Sequence, residues 1–137
     1  MYEFSYSMPT TIITGHNCVV KNSRILRKYG HRCLIVTGFK SSKLNGSLED
    51  CIQALENEGI KFSIFAKVEE NPSLETVETA YLENKGKGID FIVAVGGGSA
   101  IDAAKAMAIL FKSNMPAKEI LSLHNLEGLQ VIASPTT

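Results

Sequence analysis

The stretch Phe91-Ile92-Val93-Ala94-Val95-Gly96-Gly97-Gly98-Ser99-Ala100-Ile101-Asp102-Ala103-Ala104-Lys105-Ala106-Met107-Ala108 decides the fold. It opens on a short apolar run rich in β-branched side chains, the pattern of a strand covered on both faces. Three glycines follow, and then a segment with helical character. Glycines let the chain turn with positive φ and leave no Cβ between backbone N–H groups and a ligand. The start of the next helix adds unpaired N–H donors and the positive end of its dipole. Strand, glycine turn and helix together make a site for a phosphate or pyrophosphate. Ser99 is expected to cap the helix and to offer its hydroxyl to the anion. The alanines at 100, 103, 104, 106 and 108 let this helix lie close to the sheet and to a bound nucleotide. A plainer reading also fits: a tight turn, a cap, and Asp102 with Lys105 as an i, i+3 surface pair worth about 0.2–0.5 kcal/mol. Because the glycines are consecutive, the spacing is not the GxGxxG fingerprint, and the residues argue for anion binding without naming a cofactor.

Outward from this segment, β-branched apolar runs alternate with amphipathic stretches. Strands are expected at Cys33–Thr37, Lys61–Phe65, Phe91–Val95 and Leu129–Ala133. Leu48, Cys51, Ile52 and Leu55 recur at helical spacing between Gly46 and Gly59, and Gly59 supplies the stop. Further helices are expected over Ser23–Tyr29, with Ile25, Leu26 and Tyr29 inward, and over Ser73–Lys85, entered through Asn71-Pro72 and packing Val77, Ala80 and Tyr81. The order of elements predicts an α/β fold, a Rossmann-like and mostly parallel sheet with helices on both faces. Tyr2–Tyr6 and Thr11–Thr14 form a candidate N-terminal β-hairpin.

Composition narrows the function classes. The chain has 137 residues, 45% of them hydrophobic, with 14 basic and 14 acidic side chains and a net charge of zero. A chain of this size buries roughly two-thirds of its unfolded surface, so it needs no disulfide or structural metal to hold a core. Balanced charge and the absence of long Lys/Arg runs speak against nucleic acid and membrane surfaces as partners. The N-terminus has no basic-then-apolar leader pattern, and no apolar stretch is long enough to cross a bilayer, so a cytoplasmic location is expected. Cys18, Cys33 and Cys51 lack CxxC spacing and read as free thiols, while His16, His31 and His124 lack the spacing of paired metal ligands.

The segment GGGSxxDxxK, formed by Gly96 to Lys105, resembles the signature of the iron-containing alcohol dehydrogenases. Glu70-Asn71-Pro72 is similar to an Asn-Pro junction upstream in that family, and Ser134-Pro135-Thr136-Thr137 to the start of its Pro-Thr-Thr motif. All three occur in the family's order across essentially the whole chain. The resemblance implies a dinucleotide-binding domain over residues 1–137, in which Gly97, Gly98 and Ser99 hold the pyrophosphate and Asp102 lies near the nicotinamide. It further implies that Asn71 contacts the cofactor and that Thr136 and Thr137 meet its phosphate or adenosine side. Family members continue into a helical domain that holds a divalent metal, iron by the family's name. That domain is expected to be absent here, leaving the fragment inactive alone.

The loop after the first core strand, Thr37-Gly38-Phe39-Lys40-Ser41-Ser42-Lys43, has no acid where a carboxylate would bind the adenosine ribose hydroxyls. A carboxylate there favours a free 2′-hydroxyl and repels a 2′-phosphate. Gly38 leaves room, and Ser41, Ser42 and the lysines can donate, so NADP is expected over NAD. The substrate implied is a small alcohol or aldehyde, interconverted by hydride transfer, and a homodimer is a candidate assembly. Two other readings stand beside this one. A dehydroquinate-synthase-like lyase shares a triple-glycine loop followed by Asp, but Lys105 stands where that relative usually has glycine. A non-catalytic nucleotide-binding module also fits the length.

Overall fold

The computed structural model describes residues 18–38, 46–113 and 128–135. In chain order these form helix α1 (Cys18–Lys21), a 3-10 helix (Ser23–Lys28), strand β1 (Arg32–Gly38), helix α2 (Ser47–Asn57), β2 (Lys61–Val68), α3 (Leu74–Asn84), β3 (Phe91–Gly96), α4 (Gly98–Ser113) and β4 (Gln130–Pro135). The four strands make one sheet in the order β2-β1-β3-β4, and every pairing is parallel. This is the α/β architecture expected from the alternation of apolar runs and amphipathic stretches. The candidate hairpin at Tyr2–Tyr6 and Thr11–Thr14 lies outside the described residues.

The pleat sorts alternate strand residues into two cores. Cys33 and Ile35 of β1 join Phe91, Val93 and Val95 of β3 against Leu48, Cys51, Ala54 and Leu55 of α2. Leu34, Val36, Ile92 and Ala94 point the other way, onto Val77 and Ala80 of α3 and Ala103, Ala104 and Met107 of α4. Continuous apolar runs in β1 and β3 follow directly, since central parallel strands are covered on both faces. Leu34, Ile35, Leu55, Ile92, Ile109 and Leu110 are fully buried, each contributing roughly 1.5–3 kcal/mol by leaving water. The chain steps from β1 to β2 over one face and returns to β3 and β4 over the other. A change of direction with a change of face keeps every crossover of one hand.

Local chemistry sets the ends of the elements. Gly59 adopts φ +68°, and the Ile60 and Gly59 amides donate to the Leu55 and Glu56 carbonyls at 3.0 and 3.1 Å, a Schellman stop for α2. At the opposite end of the sheet from the strands' C-termini, Asp90 Oδ2 accepts from the amides of His31 and Arg32 at 2.8 and 3.1 Å. Gly30 there has φ +147°, and a Cβ on it would come 2.3 Å from Asp90 Cβ.

Three sequence expectations need correction. The segment after Asn22 is a 3-10 helix, not an α-helix; its three-residue period aligns buried Ser23 and Leu26 with Tyr29, whose ring packs 6.0 Å from Phe91 while Ile25 stays half-buried. β2 runs on to Val68, because it keeps pairing with β1 through a bulge between Val36 and Gly38. β4 starts at Gln130, not Leu129, because the Leu129 amide donates to the Ala108 carbonyl of α4 at 3.1 Å. At its other end β4 runs on past Ala133, because Ser134 and Pro135 pair with Val95 and Gly96 of β3.

Candidate functional site

All four strands are parallel, so their C-terminal ends lie along one edge. Thr37, Val95 and Ser134 share one row of the sheet, and Gly96 pairs with Pro135 in the next. The chain leaves β1 toward the α2 face and leaves β3 toward the α4 face. Diverging connections open a crevice between neighbouring strand ends, the place where open α/β sheets bind ligands. Gly38 closes one side of it as the last residue of β1, and Gly96 through Ser99 close the other.

The three glycines do different things. Gly96 is buried and has φ +147°, a conformation that L side chains rarely adopt, so the turn off β3 needs it. Neither Gly97 nor Gly98 has positive φ, and a Cβ on either meets nothing within 4 Å. Packing within the described residues therefore does not require glycine at 97 or 98. Among the described residues the space above them is open.

Helix α4 begins at Gly98, and the Ile101 amide makes its first turn by donating to the Gly97 carbonyl at 3.2 Å. The capping position is thus Gly97, and Ser99 sits inside the first turn instead of capping it. The expectation that Ser99 caps the helix is corrected: an unbranched glycine at 97 lets the helix start two residues earlier. The amides of Gly98, Ser99 and Ala100 then have no partner within the helix and face the crevice end. Half-buried Ser99 adds a hydroxyl there, and Asp102 follows one turn on, also half-buried. Among the described residues Asp102 and Lys105 form no ion pair; the two that occur are Arg27–Glu58 and Lys67–Glu83. Lys105 is exposed and Asp102 half-buried, and the expected surface pair does not form. The alanines at 100, 103, 104, 106 and 108 are all buried, which seats α4 on the sheet as their small size suggested.

Asn71 lies on the loop from β2 to α3 at the same sheet edge. It is exposed and adopts φ +52°, beside a buried Pro72. Ser73 caps α3, its Oγ accepting from the Thr76 amide at 3.1 Å. Glu69 reaches across the loop to accept from the Thr76 hydroxyl at 2.7 Å and from the Ser73 amide at 3.3 Å. The Thr76 hydroxyl, chiefly, holds the Glu69 carboxyl below the usual range. Sequence reading passed over this brace; its signal was the Glu69…Ser73…Thr76 spacing across a helix start.

Of the site residues expected from sequence, Gly38, Asn71, Gly97, Gly98, Ser99 and Asp102 lie along this edge, whereas Ser41, Ser42, Thr136 and Thr137 fall outside the described residues. Among the described residues the donor set fits a dinucleotide's phosphates: amides without a partner in their own helix, open space over two glycines, and a hydroxyl. Divalent metal is different. Among the described residues no three His, Cys, Asp or Glu side chains come together to hold an ion. Among the same residues no helix is long and apolar enough to cross a membrane.

Comparison with known proteins agrees with this geometry. The profile of the family described as iron-containing alcohol dehydrogenase matches residues 9–137. The chain is 43% identical over 108 residues to NADH-dependent butanol dehydrogenase B of Clostridium acetobutylicum, covering 79% of this chain and 28% of that protein. It is 37% identical over 109 residues to an NADPH-dependent butanol dehydrogenase of Clostridium saccharobutylicum, covering 78% of this chain and 27% of that one. A crystal structure of an iron-containing alcohol dehydrogenase from Thermotoga maritima superposes with a TM-score of 0.85 at 38% identity, over 100% of this chain and 38% of that one. The chain thus spans less than a third of the length of these two curated relatives.

Proposed function

The chain belongs to the iron-containing alcohol dehydrogenase family, and from that premise we propose that residues 1–137 form the dinucleotide-binding domain of an enzyme interconverting alcohols with aldehydes or ketones. The observation that carries the reading is the open space over Gly97 and Gly98 at the start of α4, in a crevice between diverging strand ends. When bound, the nicotinamide supplies a hydride acceptor or donor for the carbinol carbon of the substrate. The chain's own residues bind and orient. Amides of Gly98, Ser99 and Ala100 and the Ser99 hydroxyl hold the pyrophosphate, with the helix dipole behind them. Asp102, one turn along, is placed toward the nicotinamide end as a hydrogen-bonding group. Asn71 reaches the cofactor from the β2–α3 loop, and by the family resemblance Thr136 and Thr137, next in sequence after Pro135, contact its phosphate or adenosine side. The divalent metal, iron, belongs to a helical domain outside these residues.

For the adenosine end we propose NADP over NAD. Gly38 ends β1 at the crevice and puts no side chain there, so no carboxylate from that position meets a 2′-phosphate. Ser41 and Ser42 follow as donors. Of the two relatives named above one is NADH-dependent and the other NADPH-dependent, so Gly38 is the residue to test. In the enzyme that contains this chain, kcat/KM with NADP should exceed that with NAD. Gly38→Asp should shift the ratio toward NAD by about tenfold or more, the scale of losing a charge-assisted hydrogen bond to phosphate. A higher kcat/KM with NAD in the unsubstituted enzyme would sink the NADP assignment. Cofactor binding that survives Ser99→Asp undiminished would sink the site itself.

A further inference from the structure

We propose that Glu69 is a positioning residue for the cofactor site, its carboxylate bracing the Glu70-Asn71-Pro72 turn so that Asn71 is presented to the ligand. The proposal rests on the assignment of Asn71 to the dinucleotide site. Glu69 directly follows the last residue of β2 and reaches the first turn of α3. Its Oε1 and Oε2 lie 2.7 and 2.9 Å from Thr76 Oγ1, and Oε1 lies 3.3 Å from the Ser73 amide. An ionised carboxylate can only accept, so the Thr76 hydroxyl donates to it. Thr76 Oγ1 is then free to accept from Ser73 Oγ at 3.0 Å, while Ser73 Oγ accepts from the Thr76 amide at 3.1 Å. One charge therefore orders both hydroxyl protons in a single chain.

This brace closes the loop on itself. Glu69 at one end and Ser73 at the other are joined by a hydrogen bond, and the three residues between them are held as a short arch. At its centre Asn71 has φ +52°, although a residue before proline ordinarily takes an extended conformation. Asparagine tolerates the left-handed region better than other side chains, and buried Pro72 fixes the far foot of the arch. The helix dipole of α3 adds to the preference for a negative group at Glu69. Yet the Glu69 carboxylate is exposed, and exposed charge-assisted contacts add little to folding stability. What the brace fixes is the placement of Asn71.

The test is equilibrium titration with NADPH, read by its fluorescence, on the enzyme containing this chain and on Glu69→Ala, Thr76→Val, Thr76→Ser, Asn71→Ala and the Glu69→Ala/Asn71→Ala double variant, with melting temperatures alongside. Glu69→Ala and Thr76→Val should each weaken binding about 3- to 10-fold with small changes in melting temperature. Thr76→Ser keeps the hydroxyl and should bind as the unsubstituted enzyme does. In the Asn71→Ala background, Glu69→Ala should add nothing, because it acts through Asn71. Independent, multiplying losses from Glu69→Ala and Asn71→Ala would overturn the proposal, as would unchanged binding in Glu69→Ala while Asn71→Ala binds weakly. Unchanged binding in Asn71→Ala would instead show that Asn71 is not in the site, and both assignments would fall together.

Discussion

Alanine at Gly97 and at Gly98 separates the demands of folding from those of the ligand. Gly98 is the first residue of α4, and replacing glycine by alanine where the backbone is already compatible typically stabilises by about 0.4–1 kcal/mol through the unfolded chain. Neither position has positive φ, and among the described residues the added methyl meets no tertiary neighbour within 4 Å. For a domain of this size about 1 kcal/mol corresponds to a rise of roughly 3 °C in melting temperature. Calorimetry of Gly98→Ala should therefore find melting unchanged or slightly raised, and of Gly97→Ala, where alanine caps a helix less well than glycine, a fall of about 3 °C at most. Cofactor binding should fall in both. The methyl occupies the space through which phosphate oxygens approach the amides, and each lost hydrogen bond to a charged group costs about 1.5–3 kcal/mol, or roughly 10- to 150-fold in Kd. Gly96→Ala is the control: its φ of +147° makes a side chain strained, so it should lower the melting temperature whether or not cofactor is present. Two results refute the reasoning: binding undiminished in both Gly97→Ala and Gly98→Ala, or a fall of more than about 6 °C in either, a loss of roughly 2 kcal/mol that would make the glycines structural.

Three further outcomes follow from the fold. Gly30→Ala forces a Cβ to 2.3 Å from Asp90 Cβ at a φ of +147°, and should destabilise by about 2–4 kcal/mol in urea denaturation without altering cofactor Kd in the folded fraction. Leu55→Ala removes a fully buried side chain of α2 and should cost about 2–5 kcal/mol in the same assay. Burial pushes the Cys51 thiol up from its ordinary 9.0 to about 11, against the Ser134 hydroxyl, which pulls it down, and with Asp50, which adds to the rise. Burial likewise pushes Cys33 up. An unfolded thiol ionises at lower pH than these, so the stability they confer is intact below pH 9 and is lost as the pH rises toward about 11. The urea midpoint should fall between pH 9 and about 11, the span in which the unfolded thiol ionises and the folded Cys51 does not, with a shallower fall in Cys51→Ala.

The class of fold was legible in the amino-acid sequence, because central parallel strands must be apolar on both faces and surface helices on one. That is why FIVAV and CLIVT read as strands and why Leu48, Cys51 and Leu55 read as a helix stopped by Gly59. The sequence also singled out Gly97, Gly98 and Ser99 as candidates for an anion site, since the first amides of a helix have no partner within it and glycine leaves them accessible. Only tertiary structure decided the rest. Strand order placed Gly38 opposite Gly96, a relation between segments far apart in the chain that no local pattern encodes. The pairing of the Leu129 amide with α4 moved the start of β4, and a bulge against β1 lengthened β2. Which glycine serves the turn and which serves a ligand depends on φ and on neighbouring atoms, and both are properties of packing. The Glu69 brace joins residues whose types are common at helix starts, and it gains meaning only because folding sets Asn71 on the same edge as the glycines.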